Sequence, residues 1–443
     1  MQQISQFFIH LETKIDQMKK IFLFLSAFFL IQNSIAQTTH ILCGKLIDTK
    51  SGKIETNKTI IIEKNKIVDV VDGFLVAKSK NITTIDLKSK VVMPGLIDFH
   101  VHIEQEFNPK TQLEKYVLNE ADVAFNSVGF AKTTLLNGFT TVRDLGGTGV
   151  NISIRNAIDQ GKIPGPRVFT AGKSLATTGG HADPTNGGNK LFIGDPGPKD
   201  GVVNSIDDAK KAVRQRYKNG ADWIKITATG GVLSVAKSGD NPQFTIEEIK
   251  AICETAKDYG MFVAAHAHGD EGMKRAILGG VKTIEHGTYM SDETMDLMIT
   301  YDVFMVPTIT AGKEVAEKAS IKGFYPDIVV PKALAVGPQI QGTFGKAYKK
   351  GVKIAFGTDA GVFKHGNNGK EFGFMVAAGM PVMETIQSAT ITNAMLLKME
   401  DKLGQIQKGF FADIIAVDED PTKNIATIEN VVFVMKDGVV HKQ

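Results

Sequence analysis

The sequence predicts an α/β fold in which a (β/α)8 barrel of the TIM type carries a small β-sandwich formed by both ends of the mature chain. Three observations favour this architecture. Eight short apolar runs alternate with helix-period segments, both ends have the turn-rich character of β-hairpins, and chemically reactive residues recur where the apolar runs end. Strands that alternate with helices form parallel sheets, and eight such units can close a barrel.

The barrel is predicted over residues 93–403. Its apolar runs are VVMPGLIDFHV, FTTVRDL, PRVFTAG, DWIKITATGG, FVAAHAHG, TIEHG, FMVPTI and KIAFGTD. Helix-period segments separate most of them, and in TIEEIKAICETAKDYG the residues Thr245 and Glu248 form a capping box before Gly260 ends the helix. A doubly wound sheet is the alternative, but no glycine-rich turn opens a helix after the first strand.

The β-sandwich is predicted from residues 37–92 and 404–443. Both segments contain short apolar strands broken by turn residues, and the second includes a Lys-Asp-Gly turn. Since the same character recurs at both ends of a long alternating middle, we expect the two ends to assemble into one small domain.

The first 36 residues are interpreted as two parts that the mature protein lacks. Residues 1–17 resemble an over-extended translation start, with Met18 as the true initiator. Residues 18–36 have the basic start, apolar stretch and small terminal residues of a secretory signal peptide. The protein is therefore expected to be exported, to the periplasm of a bacterium, without a membrane anchor after cleavage. An uncleaved N-terminal anchor helix is the alternative.

Composition excludes several classes of protein. The net charge is +3 over 443 residues and no basic block follows the signal segment, which argues against a nucleic-acid partner. The two cysteines, Cys43 and Cys253, are too few for a disulfide scaffold and lie outside any ligand motif. The apolar share of 43% is ordinary for a globular protein.

The stretch MPGLIDFHVHIE carries His100 and His102 two positions apart at the end of a predicted strand. Side chains two apart on a strand point to the same face, so both imidazoles should aim at one point. From this pair alone, a metal site and two hydrogen-bonded core histidines are equally good interpretations.

Further reactive residues lie at the ends of later apolar runs. They are Lys225, His266, His268, His286 and Asp359. In a barrel, the carboxyl ends of all strands meet at one mouth, where catalytic groups lie. This shared placement favours one site over several unrelated structural roles.

The motifs PGLIDFHVH, TTVRDLG, IKI, AAHAHG, IEHG and GTDAG resemble those of the amidohydrolase superfamily. The resemblance extends from about Cys43 to the C-terminus. In order and spacing, the motifs are most similar to the binuclear branch that hydrolyses Xaa-Pro or related dipeptides and N-acyl amino acids, near a fungal ochratoxin amidase. The segments GGHAD and HGNNGKEF fit that branch too.

The resemblance implies a site with two divalent metal ions. His100, His102 and Asp359 would bind one metal, and His266 and His286 the second. Lys225, carboxylated by CO2 to a carbamate, would bridge both. Zinc suits these ligands best, and manganese or cobalt would also be tolerated. Strand parity alone allows either His266 or His268 as the ligand, and the family motif favours His266.

The expected activity is hydrolysis of the amide bond of dipeptides, of Xaa-Pro or Xaa-Arg/Lys type, or of N-acyl amino acids by a metal-bridging hydroxide. Asp359 would act as general base and then as general acid. Candidate substrate contacts are His181, His268, His365 and Arg143, although Arg143 is equally well explained as a structural partner of Asp144 or a neighbour. The resemblance also implies a homo-oligomer.

Two rival functions stay open at this point. One is a cyclic amidase, similar to imidazolonepropionase or hydantoinase, or a base deaminase on the same scaffold. Imidazolone and deaminase relatives typically use one metal and lack the bridging lysine, so Lys225 disfavours them. The other is a non-catalytic binding protein, which would be expected to have lost ligand residues that this sequence retains.

Overall fold

A computed structural model describes residues 10, 14, 16–20, 38–77, 79 and 81–443 of the chain. The predicted translation start and signal peptide therefore lie largely outside the described residues. Within the described ranges, no helix is both long enough and apolar enough to cross a membrane.

Fourteen strands are described, numbered here in chain order. They are β1 (Thr38–Asp48), β2 (Lys53–Glu63), β3 (Lys66–Asp72), β4 (Ile82–Pro94), β5 (Leu96–Val101), β6 (Phe139–Asp144), β7 (Arg167–Thr170), β8 (Ile224–Thr227), β9 (Val263–Ala267), β10 (Thr283–His286), β11 (Phe304–Val306), β12 (Ile414–Val417), β13 (Val431–Lys436) and β14 (Val439–Lys442).

The helices in the described part of the chain after residue 37 are numbered in the same way. They are α1 (Thr111–Val117), α2 (Glu120–Leu136), α3 (Val150–Asp159), α4 (Lys190–Ile193), α5 (Ile206–Asn219), α6 (Ile246–Asp258), α7 (Asp270–Gly279), α8 (Asp292–Thr300), α9 (Ile309–Ala319), α10 (Val330–Lys350), α11 (Lys370–Ala377), α12 (Val382–Gln387) and α13 (Asn393–Leu396), with a π-turn at Ser388–Thr392 and a 3-10 turn at Ile425–Glu429.

Both ends of the described chain contribute to one seven-stranded sheet, in the order β14-β13-β12-β4-β1-β2-β3. The predicted Lys-Asp-Gly turn joins β13 to β14, which pair antiparallel. Along β4, Val91 and Met93 pack into the main core while Val92 packs into a separate apolar cluster within the small domain. One face of this sheet therefore attaches to the rest of the molecule. The exact domain boundaries stay predictions.

The middle of the chain forms two parallel sheets, β5-β6-β7 and β11-β10-β9-β8. Parallel bridges between Leu175 and Ile226, and between Met305 and Ile354, extend the pairing beyond the named strands. The predicted α/β class is confirmed. The eighth predicted strand, KIAFGTD, does not form a continuous ladder. It has one parallel bridge at Ile354, and a second bridge follows at Ala360.

The predicted capping box of Thr245 and Glu248 is present at the start of α6. Helix α5 is also capped: it is preceded by Ser205, whose side chain accepts from the N–H of Asp208. Gly220 ends α5 in the left-handed conformation, with φ of 93°. The ends of α5 and the start of α6 determine where the chain enters and leaves the segment that contains β8.

Candidate active site

His100 and His102 converge on Asp359 at the carboxyl end of β5. The N–H of Asp359 donates to the carbonyl of His100, which holds the two segments side by side. The Nε2 atoms of His100 and His102 lie 3.5 and 3.2 Å from Oδ1 of Asp359. Strand alternation thus directs both imidazoles to one point, as the spacing predicts.

A second group of histidines stands beside the first. His266 lies in β9, His268 follows the end of that strand, and His286 ends β10. Each offers a ring nitrogen, and these nitrogens lie within 4.8 Å of one another. The rings of His286 and His100 are 5.2 Å apart between centroids. The two groups therefore form one cluster that draws on both parallel sheets.

Hydrogen bonds on the outer ring nitrogens determine what the inner nitrogens present. Nδ1 of His102 lies 2.7 Å from the carbonyl oxygen of Gly146, and Nε2 of His266 lies 3.0 Å from that of Gly230. A carbonyl oxygen only accepts, so each of these nitrogens carries the ring proton. The other nitrogen of each neutral ring keeps its lone pair and faces the cluster, as in metal-binding histidines.

The facing atoms of His102 and Asp359 require a positive charge between them. With Nδ1 protonated, Nε2 of neutral His102 is an acceptor, and so is Oδ1 of Asp359, which is buried and accepts no hydrogen bond from the described residues. Burial alone would lower the pKa of His102, but the Asp359 carboxylate, together with Asp144 and the carbonyl of Gly146, outweighs burial and raises that pKa. Two facing acceptors that favour a cation between them also suit a divalent metal, and imidazole with carboxylate is a donor set for zinc.

Lys225, in β8, lines one cavity together with these histidines and Asp359. Its side chain is buried, and burial lowers the pKa of its amine to about 8. Burial also lowers the pKa of His100 to about 4, and the charge of Lys225 contributes to that shift. An amine with a lowered pKa is neutral in a larger fraction of molecules and is then a nucleophile.

Three residues at the site have left-handed backbone conformations. They are His286, Thr308 and Asp359, with φ of 73°, 52° and 63°. Such values are costly for side chains other than glycine and cluster at functional sites. Nδ1 of His286 lies 2.7 Å from Oγ1 of Thr308, so two of the strained residues hold each other.

A buried ion pair stands behind His100. The Nδ1 atom of His100 lies 2.9 Å from Oε2 of Glu285, whose Oε1 accepts from Arg143 at 2.8 Å. Burial would raise the pKa of Glu285, but Arg143 and His100 lower it to about 2. A carboxylate on the outer nitrogen of a histidine fixes the ring and increases its basicity toward a metal.

A model of the amidohydrolase family matches residues 91–441, which include all of the groups described above. The chain belongs to the amidohydrolase family. Its resemblance to the branch of Xaa-Pro dipeptidases and ochratoxinase, inferred from the motifs, is confirmed by the individual relatives.

A crystal structure of a Xaa-Pro dipeptidase with methionine in its active site is 55% identical, with a TM-score of 0.89, over 92% of this chain and 100% of that one. A prolidase complexed with N-methylphosphonate-L-proline is 30% identical, with a TM-score of 0.83, over 92% of this chain and 100% of that one. Ochratoxinase of Aspergillus niger is 30% identical over 92% of this chain and 87% of its own length.

The four candidate substrate contacts of this amidohydrolase separate into two pairs. His181 and His268 line the cavity. His365 does not, because its ring is buried between Thr134 and the carbonyl oxygen of Gln105. Arg143 is fully buried and its guanidinium pairs with Glu285 rather than with Asp144, so its position does not allow contact with a substrate.

His181 is held against the histidine cluster by its neighbours. Its ring stacks on His266 with centroids 4.3 Å apart. The backbone N–H of His181 donates to Oε1 of Gln243. A Cβ atom on Gly231 would lie 2.2 Å from the His181 ring, so only glycine fits there. Nδ1 of His181 is buried and has no hydrogen-bond partner among the described residues.

Sequence reasoning assigned no role to Glu285, Gln105 or Gln243. A signal for Glu285 was present, since an acidic residue within the apolar run TIEHG needs a buried partner. No comparable signal existed for Gln243 and Gln105, because their roles depend on how two distant loops meet.

Proposed function

We propose that this amidohydrolase cleaves the amide bond of dipeptides or N-acyl amino acids with two divalent metal ions, most favourably zinc. The observation that carries the proposal is the convergence of two donor groups and a buried lysine on one cavity. The similarity to a Xaa-Pro dipeptidase that holds an amino acid in its active site supports a dipeptide substrate.

His100, His102 and Asp359 would hold one metal, and His266 and His286 the other. His268 lies within reach of the second group and is assigned to substrate instead. Lys225, as a carbamate, would supply an anionic bridge between cations that are otherwise bound mainly by neutral imidazoles. Such metals, when bound, lower the pKa of water and polarise a carbonyl group.

The protein's own residues supply the remaining chemistry. Asp359 accepts the proton that the attacking water loses and delivers it to the nitrogen of the leaving amine, which cannot depart efficiently as an anion. His181, which lines the cavity and stacks on His266, contacts the substrate near the scissile bond. Glu285 keeps His100 in the tautomer that leaves Nε2 free.

Three broader features belong to the same proposal. The two parallel sheets close into the (β/α)8 barrel, for which the parallel bridge between Val101 and Ala360 gives support. The mature enzyme is exported to the periplasm, where short peptides would reach it, and it assembles as a homo-oligomer.

The test is hydrolysis of a dipeptide library by protein beginning at Gln37, loaded with zinc and bicarbonate. Release of free amino acids, together with about two metals per chain, is the expected result. A Lys225→Met variant is the matched control, and it should lose the carbamate signal seen by 13C NMR after labelling with 13C-bicarbonate.

Two results would contradict the proposal. One metal per chain in fully active enzyme would remove the binuclear site. Cleavage of imidazolone or hydantoin rings without cleavage of any dipeptide or acyl amino acid would replace the substrate class by cyclic amides.

A further inference from the structure

The cavity of about 210 Å³ has two chemically different walls. The strand ends supply a polar wall of histidines, Lys225 and Asp359. A second group of lining residues is apolar, comes from the loop after β8 and from helices α9 and α10, and is called the apolar wall here. Its members are Val232, Leu233, Ala311, Gly312, Val315, Val336 and Ile340.

The two helices behind this wall approach each other closely at two glycines. A Cβ atom on Gly312 of α9 would lie 2.8 Å from Cγ2 of Ile340, and one on Gly337 of α10 would lie 2.4 Å from Cβ of Ala316. Interiors packed at this density transmit the shape of one residue to the next. The shape of the helix part of the wall therefore depends on the close packing of α9 on α10.

The loop part of the wall is fixed by Lys332 of α10. Its ammonium group donates to three carbonyl oxygens, those of Gly231, Ser234 and Ala236, at 3.0, 2.6 and 2.9 Å. These bonds enclose the loop segment that carries Val232 and Leu233. A lysine ammonium has three donors, so all of them are used on this loop.

Lys332 and the apolar wall belong to one face of α10. Val336 and Ile340 follow Lys332 at intervals of four residues, and residues at that spacing share a helix face. One helix therefore supplies part of the wall and also ties down the loop that supplies the rest.

The apolar wall offers nothing to a charged side chain. Among the described residues that line the cavity, the lysine and carboxylate groups are Lys225 and Asp359, and both belong to the polar wall. A charged group buried against aliphatic side chains without a partner is strongly disfavoured, whereas each buried methylene is favourable.

We propose that this apolar wall is the subsite for one substrate side chain and that it selects aliphatic or thioether side chains over charged ones. Lys332 is a positioning residue for this wall. The inference rests on the proposed function and narrows its range of substrates, because it favours dipeptides with an apolar side chain over dipeptides of the Xaa-Arg/Lys type. The hydrophobic contribution predicts a selectivity of at least about tenfold in kcat/KM, since one methylene in such a pocket is worth about 10- to 200-fold.

The first experiment measures binding and hydrolysis separately on the zinc-loaded enzyme. Calorimetry compares L-methionine and L-leucine with L-alanine, L-arginine and L-glutamate, which share their α-groups and differ only in side chain. Hydrolysis then compares dipeptides that present the same side chains on either side of the scissile bond. Methionine and leucine are expected to bind at least about tenfold more tightly than alanine, arginine or glutamate.

The second experiment tests Lys332 with a matched control. Lys332→Met removes the ammonium but keeps the length of the side chain, and Lys346→Met makes the same change at an exposed position of the same helix. The Lys332 variant should lose most of the preference for leucine over alanine, through KM, while metal content and kcat for alanine substrates change little. Lys332→Arg should restore part of the preference, and Lys346→Met should match wild type.

The outcomes separate the subsite from the proposed reaction. Selective binding of methionine without hydrolysis of any dipeptide would support the subsite and overturn the proposed function. Hydrolysis with equal or better use of arginine or glutamate side chains would overturn the subsite and keep the function. Equal selectivity in Lys332→Met and wild type would show that Lys332 does not position the wall.

Discussion

The two walls of the cavity are built on different physical principles. The polar wall depends on direction: each imidazole is oriented by a partner on its outer nitrogen, such as Glu285 behind His100 and Gly146 behind His102. The apolar wall depends on shape, which comes from closely packed helices and from the three carbonyls around Lys332. Oriented imidazoles suit the binding of metal ions and the transfer of protons. A surface of fixed shape suits selection among substrate side chains.

Burial has opposite consequences for the two walls. On the polar wall it lowers the pKa of His268 to about 4, which keeps the imidazole neutral and its lone pair free for a ligand. On the apolar wall it removes water from aliphatic side chains, which favours an apolar group on the substrate. Burial thus keeps the imidazoles of the polar wall neutral and able to bind cations, and it makes the apolar wall suited to an aliphatic group of the substrate.

The sharpest way to separate the walls is to change Asp359 to Asn. Because the variant can no longer accept and deliver the proton, we expect kcat to fall by about 10²- to 10⁴-fold for every dipeptide that the enzyme cleaves. Relative preference among side chains should survive in the residual activity. Steady-state kinetics and metal analysis measure both effects. A variant that retained a tenth of wild-type kcat would remove Asp359 from the proposed role.

A second change tests the support behind the polar wall. Glu285→Gln leaves Arg143 buried without a counter-charge, which costs about 3–5 kcal/mol in the free energy of unfolding. It also weakens the hold on His100, so zinc affinity should fall by about 10- to 100-fold. Urea unfolding of the metal-free protein and competition with a chelator give the two values.

The control for this change is Glu293→Gln, which alters an exposed ion pair with Lys274. Surface pairs contribute about 0–1 kcal/mol, so this variant should behave like wild type in both assays. Similar losses in the two variants would mean that burial of the Glu285 pair has no special importance.

The dependence of stability on pH tests the same pair without a change of shape. The pKa of Glu285 is lowered from 4.5 to about 2 in the folded protein, so its ionised form stabilises the fold above pH 4.5. That contribution is lost as the pH falls from 4.5 through about 2. The difference in unfolding free energy between metal-free wild type and Glu285→Gln should therefore shrink over this range. A difference that stayed constant from pH 7 to pH 3 would contradict the assignment.

Sequence predicted the polar wall far better than the apolar one. His100, His102, His266, His286 and Asp359 are rare residue types at strand ends, and the parallel strand ends of an α/β fold bring them together. Nothing local marks Val336 or Ile340, because an apolar residue on a helix faces the core more often than a cavity. Which of the two it faces depends on the packing of α9 against α10.

Two site residues show the limits of local patterns in more detail. Arg143 lies within the apolar run FTTVRDL, which suggested either substrate binding or pairing with Asp144 or a neighbour, and its partner is Glu285 from a distant strand. The neighbouring His286 has a positive φ, so the alternation of side chains is interrupted at the last residue of β10. Parity arguments therefore hold for His100 and His102 and fail for Glu285 and His286.

The smallest expected effect comes from an element outside both walls. Thr245→Ala removes the oxygen that accepts from the N–H of Glu248 at the start of α6, and the loss of such a cap costs about 1 kcal/mol. Thr245→Ser keeps the oxygen and is the matched control. The melting temperature should fall by about 1 °C in Thr245→Ala only, with kcat, KM and side-chain preference unchanged in both. A change of preference would show that α6 also shapes the cavity, and the division of substrate choice and chemistry between two walls would then be too simple.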